Sequence, residues 1–210
     1  MKRKDFLTKG IVGLVGLTGA YAAQKHPVAT PKEIEGPFYP ILAQKDKDFD
    51  LTKFGDQKDT ASGDHIFIRG EVVDQDGNLI EDATVDLWQA NVHGRYRHPH
   101  DTSEGKLDPN FQGWAIVQSG KKGGFKFKTV YPGAYAVGED WTRPPHIHFK
   151  VSKRGYEELV TQMYFPEHPL NAKDHLINRK TEDEKKLMVA KLIEEKVKTY
   201  HYQIILKKVI

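Results

Sequence analysis

Apolar residues recur at every second position along much of the chain beyond residue 65. Ile66, Ile68 and Val72 alternate with polar neighbours, and after a break Val85 and Leu87 take up the same spacing. A period of two puts successive side chains on opposite faces of a strand, so each run reads as a strand with one buried face. Between the two runs lies Asp76-Gly77-Asn78, and an Asp-Gly pair between such runs is a turn signal. Residues 113–135, "GWAIVQSGKKGGFKFKTVYPGAY", repeat the theme of strand, glycine-rich turn and strand, and "HIHFKVS" and "LVTQMYF" add two more strands. The pattern changes towards the end. Thr181 and Glu184 have capping-box spacing at the head of "EDEKKLMVAKLIEEKVK", where Leu187, Leu192 and Ile193 suggest the apolar face of one helix, and "YHYQIILKKVI" then closes as a strand. Many short strands separated by turns predict a mainly-β protein: an antiparallel β-sandwich with an N-terminal arm and a short C-terminal helix.

The ends of the chain divide differently. Residues 1–22 join a basic start, "MKRKDFLTKG", to a short apolar run and the A-x-A-like stretch Ala20-Tyr21-Ala22, the pattern of an export signal. Arg3-Lys4 resembles a twin-arginine signal with Lys at the second position. The reading predicts an exported protein, periplasmic or extracellular, with no stable membrane span after cleavage. Residues 23–60 are polar, show little periodicity and read as an arm that carries the turn cluster "EIEGPFYP" (33–40). Residues 61–210 form one sandwich domain. Formal net charge is +3, but setting residues 1–22 aside leaves 28 basic against 28 acidic side chains. That balance argues against a nucleic-acid partner. There is no cysteine, so any metal has to be held by nitrogen and oxygen.

"RPPHIHFKV", residues 143–151, holds the most pointed chemistry. His146 and His148 stand two apart in a predicted strand, so both imidazoles project from one face. Alone, the pair fits hydrogen-bonded or surface histidines as well as metal ligands. Two further segments concentrate aromatic and basic residues where strands give way to loops: "WQANVHGRYRHPHD" (88–101), and the stretch from Tyr131 and Tyr135 to the histidine pair.

"EGPFYP", "DLWQANVHGRYRH", "PGAY…DWTRPPHIHF" and "TQMYFPEHPL" together resemble the intradiol ring-cleavage dioxygenases, nearest to the protocatechuate 3,4-dioxygenase branch. The resemblance implies a β-sandwich that holds mononuclear non-haem Fe(III). It also implies cleavage of a catechol or protocatechuate-like ring with O2, both oxygen atoms entering a cis,cis-muconate-type product. By position, it implies Tyr96, Tyr135, His146 and His148 as metal ligands. Arg143 and Gln162 then fall beside the substrate, and Tyr135 doubles as a group that leaves the metal and accepts a proton. The partners implied are a small aromatic diol and O2, together with either a homo-oligomer or a second subunit. Two departures stand out: Ala136-Val137 occupies a place where the family often has Pro-Trp, and the segment that follows looks short. An alternative is a β-sandwich binding module that keeps the scaffold without catalysis. A zinc hydrolase lacks an HExxH helix and leaves the tyrosines unexplained.

Overall fold

The computed structural model describes residues 28–209; the expected export signal, residues 1–22, lies outside them. Eleven strands are seen among the described residues: β1 (His65–Asp74), β2 (Thr84–Trp88), β3 (Trp114–Gln118), β4 (Gly124–Val130), β5 (Tyr135–Ala136), β6 (Thr142–Arg143), β7 (His146–Ser152), β8 (Leu159–Tyr164), β9 (Lys191–Ile193), β10 (Thr199–His201) and β11 (Ile204–Leu206). One sheet is built on β1, with β4 on one edge and β10, β11 and then β9 completing it. The other runs β3-β2-β7-β8, and β5 and β6 form a small separate ribbon.

Alternation decides what lies between the sheets. Ile66 and Ile68 of β1, Phe125 and Phe127 of β4, Val85 and Leu87 of β2, and Ile147, Phe149 and Val151 of β7 are all buried in one apolar cluster. Phe149 touches Phe125, Phe127 and Tyr202 of the opposite sheet, with ring centroids 6.0, 6.3 and 5.4 Å apart. With the odd-numbered residues of β7 used in this way, His146, His148 and Lys150 have to face outward. The outer surface of the four-stranded sheet is thereby where the chemistry collects.

Three details go beyond the sequence reading or against it. The sequence predicts two strand–turn–strand units without saying which strands pair. The turn after β1 does form, around Asp74, whose carboxylate accepts the amides of Asp76 and Asn78. Yet β1 and β2 lie in different sheets, and so do β3 and β4. The sheets are also not wholly antiparallel, since β10 and β11 run parallel to β1. Between these two strands the Tyr202 amide donates to the Arg69 carbonyl at 2.8 Å. A Cβ on Gly70 would collide with the Tyr202 carbonyl, so this close passage needs glycine. Lastly, the helix stops early. The Thr181–Glu184 capping box forms and opens α1 (Glu182–Met188), but Val189 is extended at φ −97°. The chain gains more by continuing as strand: the Ala190 amide donates to the Tyr164 carbonyl, and β9 pairs with β10. Leu192 and Ile193 therefore lie on an exposed edge strand and not on a buried helix face.

The segment 28–60 starts beside β11, crosses the outer face of the four-stranded sheet and ends against β4 of the other sheet, where the Leu51 amide donates to the Lys128 carbonyl. The Thr30 amide donates to the Ile205 carbonyl, while the Ile205 amide donates to Thr30 Oγ1 at 2.8 Å. The Glu33 amide donates to the Val160 carbonyl on β8. Tyr39 Oη donates to Asp86 at 2.8 Å, Lys150 pairs with Glu35 at 3.0 Å, and the Lys150 ammonium sits over the Tyr39 ring. Among the described residues, no helix is long and apolar enough to cross a membrane.

Candidate active site

The strand register sets out the floor. Across the outer face, His148 lies opposite Trp88 of β2 and Gln162 of β8, and His146 lies opposite Tyr164. Trp88 stacks on His148 with centroids 4.8 Å apart and planes 13° from parallel, which fixes the imidazole plane. The Pro144 carbonyl lies 2.7 Å from His146 Nδ1. A carbonyl can only accept, so Nδ1 carries the proton and Nε2 presents its lone pair.

Two loops complete the site from above. The first is wound around Asn91. Its side-chain oxygen accepts the His93 and Arg95 amides, its Nδ2 donates to the Lys106 carbonyl, and its own carbonyl accepts the amides of Gly94 and Gly133. Asp101 then receives the Tyr96 amide and directs that phenol inward. The second leads into β5, whose first residue is Tyr135. The two touch where Gly94, at φ +74°, would place a Cβ only 2.5 Å from the Ala134 carbonyl. Glycine at this crossing is what lets two tyrosines from separate loops reach one point.

All four sequence-predicted ligands meet there. His146 Nε2 is 3.2 Å from His148 Nε2, 3.4 Å from Tyr96 Oη and 3.4 Å from Tyr135 Oη. One lone pair cannot accept three hydrogen bonds, and these distances are long for any of them. Four donor atoms held this close around one point would suit a single shared metal ion. His148 Nδ1 is buried with no partner. Among the described residues no group of three or more His, Cys, Asp or Glu side chains is placed to hold a metal ion, so a centre here has to draw on the phenols. The donor set fits a hard, highly charged cation.

Burial shapes the protonation states. It pushes the Tyr96 phenol well above its ordinary value, with Tyr135 adding to the effect, and it pushes Tyr135 up as well. It pulls His148 down to about 3, assisted by the charge of Arg143, and His146 moves the same way for the same reasons. The imidazoles are thus in their neutral, metal-binding form at neutral pH. The phenols keep their protons until a cation displaces them.

Arg143 and Gln162 also lie together. Arg143 Nη2 donates to Gln162 Oε1 at 2.6 Å, and Gln162 Nε2 donates to the Ile34 carbonyl of the arm. Sequence reasoning missed Asp174, which has no exposed surface and pairs with Arg143 Nε at 2.7 Å. It missed Tyr164, whose hydroxyl receives Arg143 Nη2 at 3.2 Å. Asn91 and Phe38 were missed as well; the Phe38 ring packs 4.8 Å from that of Tyr96. Asp174 left one faint trace, an Asx-type turn in which it accepts the amides of Leu176 and Ile177.

A cavity of about 310 Å3 opens onto Tyr135, His148 and Arg143, and Ile34, Pro37 and Trp141 are among its walls. A cleft of about 390 Å3 lies on the far side of Phe38 and Tyr96, but it reaches neither histidine nor Arg143.

The family profile described as "Dioxygenase" matches residues 34–208. The protocatechuate 3,4-dioxygenase beta chain of Burkholderia cepacia is 35% identical over 176 residues, 74% of this chain and 74% of that one. The 6-chlorohydroxyquinol 1,2-dioxygenase of Cupriavidus pinatubonensis is 30% identical over 178 residues, 78% of this chain but 60% of its own length. Among solved structures, 3-chlorocatechol 1,2-dioxygenase from Rhodococcus opacus 1CP superposes with a TM-score of 0.68 at 26% identity, covering 87% of this chain and 74% of that one. A profile match over most of the chain, a relative aligned across three quarters of both sequences and a shared sandwich all agree, and the chain belongs to the intradiol ring-cleavage dioxygenases.

Proposed function

We propose that this protein is an Fe(III)-dependent dioxygenase that opens a catechol-type ring between its two hydroxyl-bearing carbons, using O2, to give a cis,cis-muconate-type product. The observation that carries the reading is the convergence of Tyr96 Oη, Tyr135 Oη, His146 Nε2 and His148 Nε2 on one point beside a cavity. When bound, a mononuclear non-haem ferric ion supplies the Lewis acidity that makes a catecholate reactive towards O2.

The chain's own groups divide the remaining work. Tyr96, His146 and His148 are all buried, but only His148 and Tyr135 among the four border the cavity. Tyr135 Oη is therefore the phenol placed to take a proton from a catechol hydroxyl. Arg143, held by Asp174 and Gln162, keeps a fixed cation against one wall, where it offsets negative charge developing on the ring. Gln162 sets the direction of that guanidinium. Ile34, Pro37, Phe38 and Trp141 supply the apolar part of the wall, against which the ring would pack.

The charged start and apolar run of residues 1–22 support export. Mass analysis of the native protein tests this: a terminus near Ala23 agrees with cleavage, and an intact Met1 refutes it. The visible spectrum of purified, iron-loaded protein tests the centre. Tyrosinate-to-Fe(III) charge transfer gives a red-brown colour that bleaches on anaerobic reduction. A colourless protein that holds iron elsewhere, and that consumes no oxygen with any catechol, overturns the reading.

A further inference from the structure

We propose that Asp174 and His175 are positioning residues: from outside both sheets they hold the β5–β6 ribbon in place and leave Nη1 as the one nitrogen of Arg143 free to meet a bound ring. The inference rests on the dioxygenase reading given above and names two residues that act through Arg143.

The ribbon needs an outside hold. Its strands have two residues each and join neither sheet. A two-stranded ribbon is marginal on its own even at ordinary strand length. Yet this one carries Tyr135 and, directly across the register, Arg143. On the β5 side the Tyr135 ring rests 5.6 Å from that of Tyr96. On the β6 side two consecutive residues do the holding. Asp174 Oδ2 receives Arg143 Nε at 2.7 Å. The His175 ring stacks on Trp141, with centroids 4.8 Å apart and planes 15° from parallel. The Val137 amide donates to the Trp141 carbonyl, so that stack also secures the end of the ribbon away from Arg143.

The holding segment is itself tied down. Asp174 and His175 lie between two short 3-10 turns, Pro169–Lys173 and Ile177–Arg179. Asn171 Nδ2 donates to the Phe165 carbonyl at 2.8 Å, and Leu176 and Ile177 are buried. Asp174 Oδ1 accepts the Leu176 and Ile177 amides, which leaves Oδ2 for the guanidinium.

The nitrogens of Arg143 show what the hold achieves. Nε is on Asp174 and Nη2 is on Gln162 and Tyr164. Nη1 has no partner among the described residues, and Arg143 borders the cavity. The guanidinium is planar, so fixing two of its nitrogens fixes the direction of the third. A donor fixed in advance needs no reorganisation as charge develops on the ring. Misplacing it by about 1 Å costs up to about 10²-fold in rate.

The test compares the unaltered iron-loaded protein with D174N, H175A and H175F. Oxygen uptake with catechol gives kcat and KM. A catechol titration without oxygen, followed in the visible band, gives affinity. H175A is expected to lower kcat about tenfold and D174N about 10²-fold, with affinity changed less than about threefold. H175F keeps a flat ring on Trp141 and should restore the rate. His175 is exposed, so H175A decides the matter alone if D174N does not fold. A third readout needs no turnover: exchange of the Arg143 Nε proton with water, followed by NMR with Ga(III) in place of Fe(III). It should be about tenfold faster in H175A and return to the native rate in H175F. Native kcat or native exchange in H175A, or losses in affinity as large as those in turnover, overturn the positioning and leave the dioxygenase reading intact. Absence of oxygen uptake by the unaltered protein with any catechol, alongside the expected exchange pattern, overturns the dioxygenase reading and keeps the hold.

Discussion

The guanidinium of Arg143 is committed on two sides, to the fully buried carboxylate of Asp174 and to Gln162 and Tyr164. Removing one member of such a pair strands the other charge, so Arg143→Ala is expected to cost about 3–5 kcal/mol of stability as well as turnover. Urea denaturation beside oxygen uptake separates the two effects. Arg143→Met combined with Asp174→Asn, which keeps an acceptor for the Leu176 and Ile177 amides, should recover part of the stability and none of the rate. If the double variant turns over like the native enzyme, the cation has no part in the chemistry. Tyr96→Phe should leave the fold intact, since the ring still packs on Phe38, and should shift or weaken the visible band of the iron-loaded protein, because one phenolate donor is gone. An unchanged band would remove Tyr96 from the centre. Strand spacing alone pointed to the pair His146 and His148, whereas Tyr96, Tyr135, Arg143 and Gln162 were legible only through the motifs that resemble a known family. Asp174 was not legible. It lies 31 residues from Arg143 in a stretch without a motif, and only the folded chain brings the two together. Tyr164 was legible in principle: strand alternation puts it on the face shared by Gln162 and, across the register, His146.

At the scale of elements, the two tyrosine loops depend on their crossing. Gly94→Ala brings a Cβ within 2.5 Å of a carbonyl at a positive φ, a strain of about 1–3 kcal/mol. The loops have to part to relieve it. Iron affinity, followed by competition with a chelator, should fall by more than the drop in melting temperature alone explains. The turn after β1 gives a prediction in pH. Burial alone would raise the Asp74 carboxyl. The Lys208 ammonium and hydrogen bonds from Asn78 and the Asp76 amide outweigh it and hold the group well below the usual carboxylate range. A depressed folded-state value means that the stabilisation is present above the unfolded value of about 3.9 and is lost as pH falls through the lower, folded one. Asp74→Asn should therefore cost about 1.5–3 kcal/mol at neutral pH. Its midpoint in urea should converge on that of the native protein below about pH 4. A constant gap across that range would show that the charge is irrelevant. This turn was read correctly from Asp-Gly, and so was the capping box of α1. What the local pattern did not carry was the partner of each strand, because alternation gives a buried face and not the sheet that covers it. The helix was read too long for the same reason: Leu192 and Ile193 fit a helical stripe, but pairing of β9 with β10 decided their conformation.

The whole molecule is held by contacts between parts far apart in sequence. Ile204, Ile205 and Leu206 are buried against β1 and the arm. Each contributes about 1.5–3 kcal/mol, so together they rival the net stability of about 5–15 kcal/mol typical of a domain. A chain ending at Gln203 is expected not to fold, and circular dichroism with a urea titration would register a cooperative transition if that expectation is wrong. The clamp between Thr30 and Ile205 also has a meaning in time. The two residues are 175 positions apart, and translation proceeds at about 5–20 residues per second, so about 9–35 s separate their synthesis. Until Ile205 emerges, the segment that covers the histidine face is held by its bonds to β2, β7 and β8 but lacks the clamp at Thr30. The arm is thus made well before the strand that completes its seat.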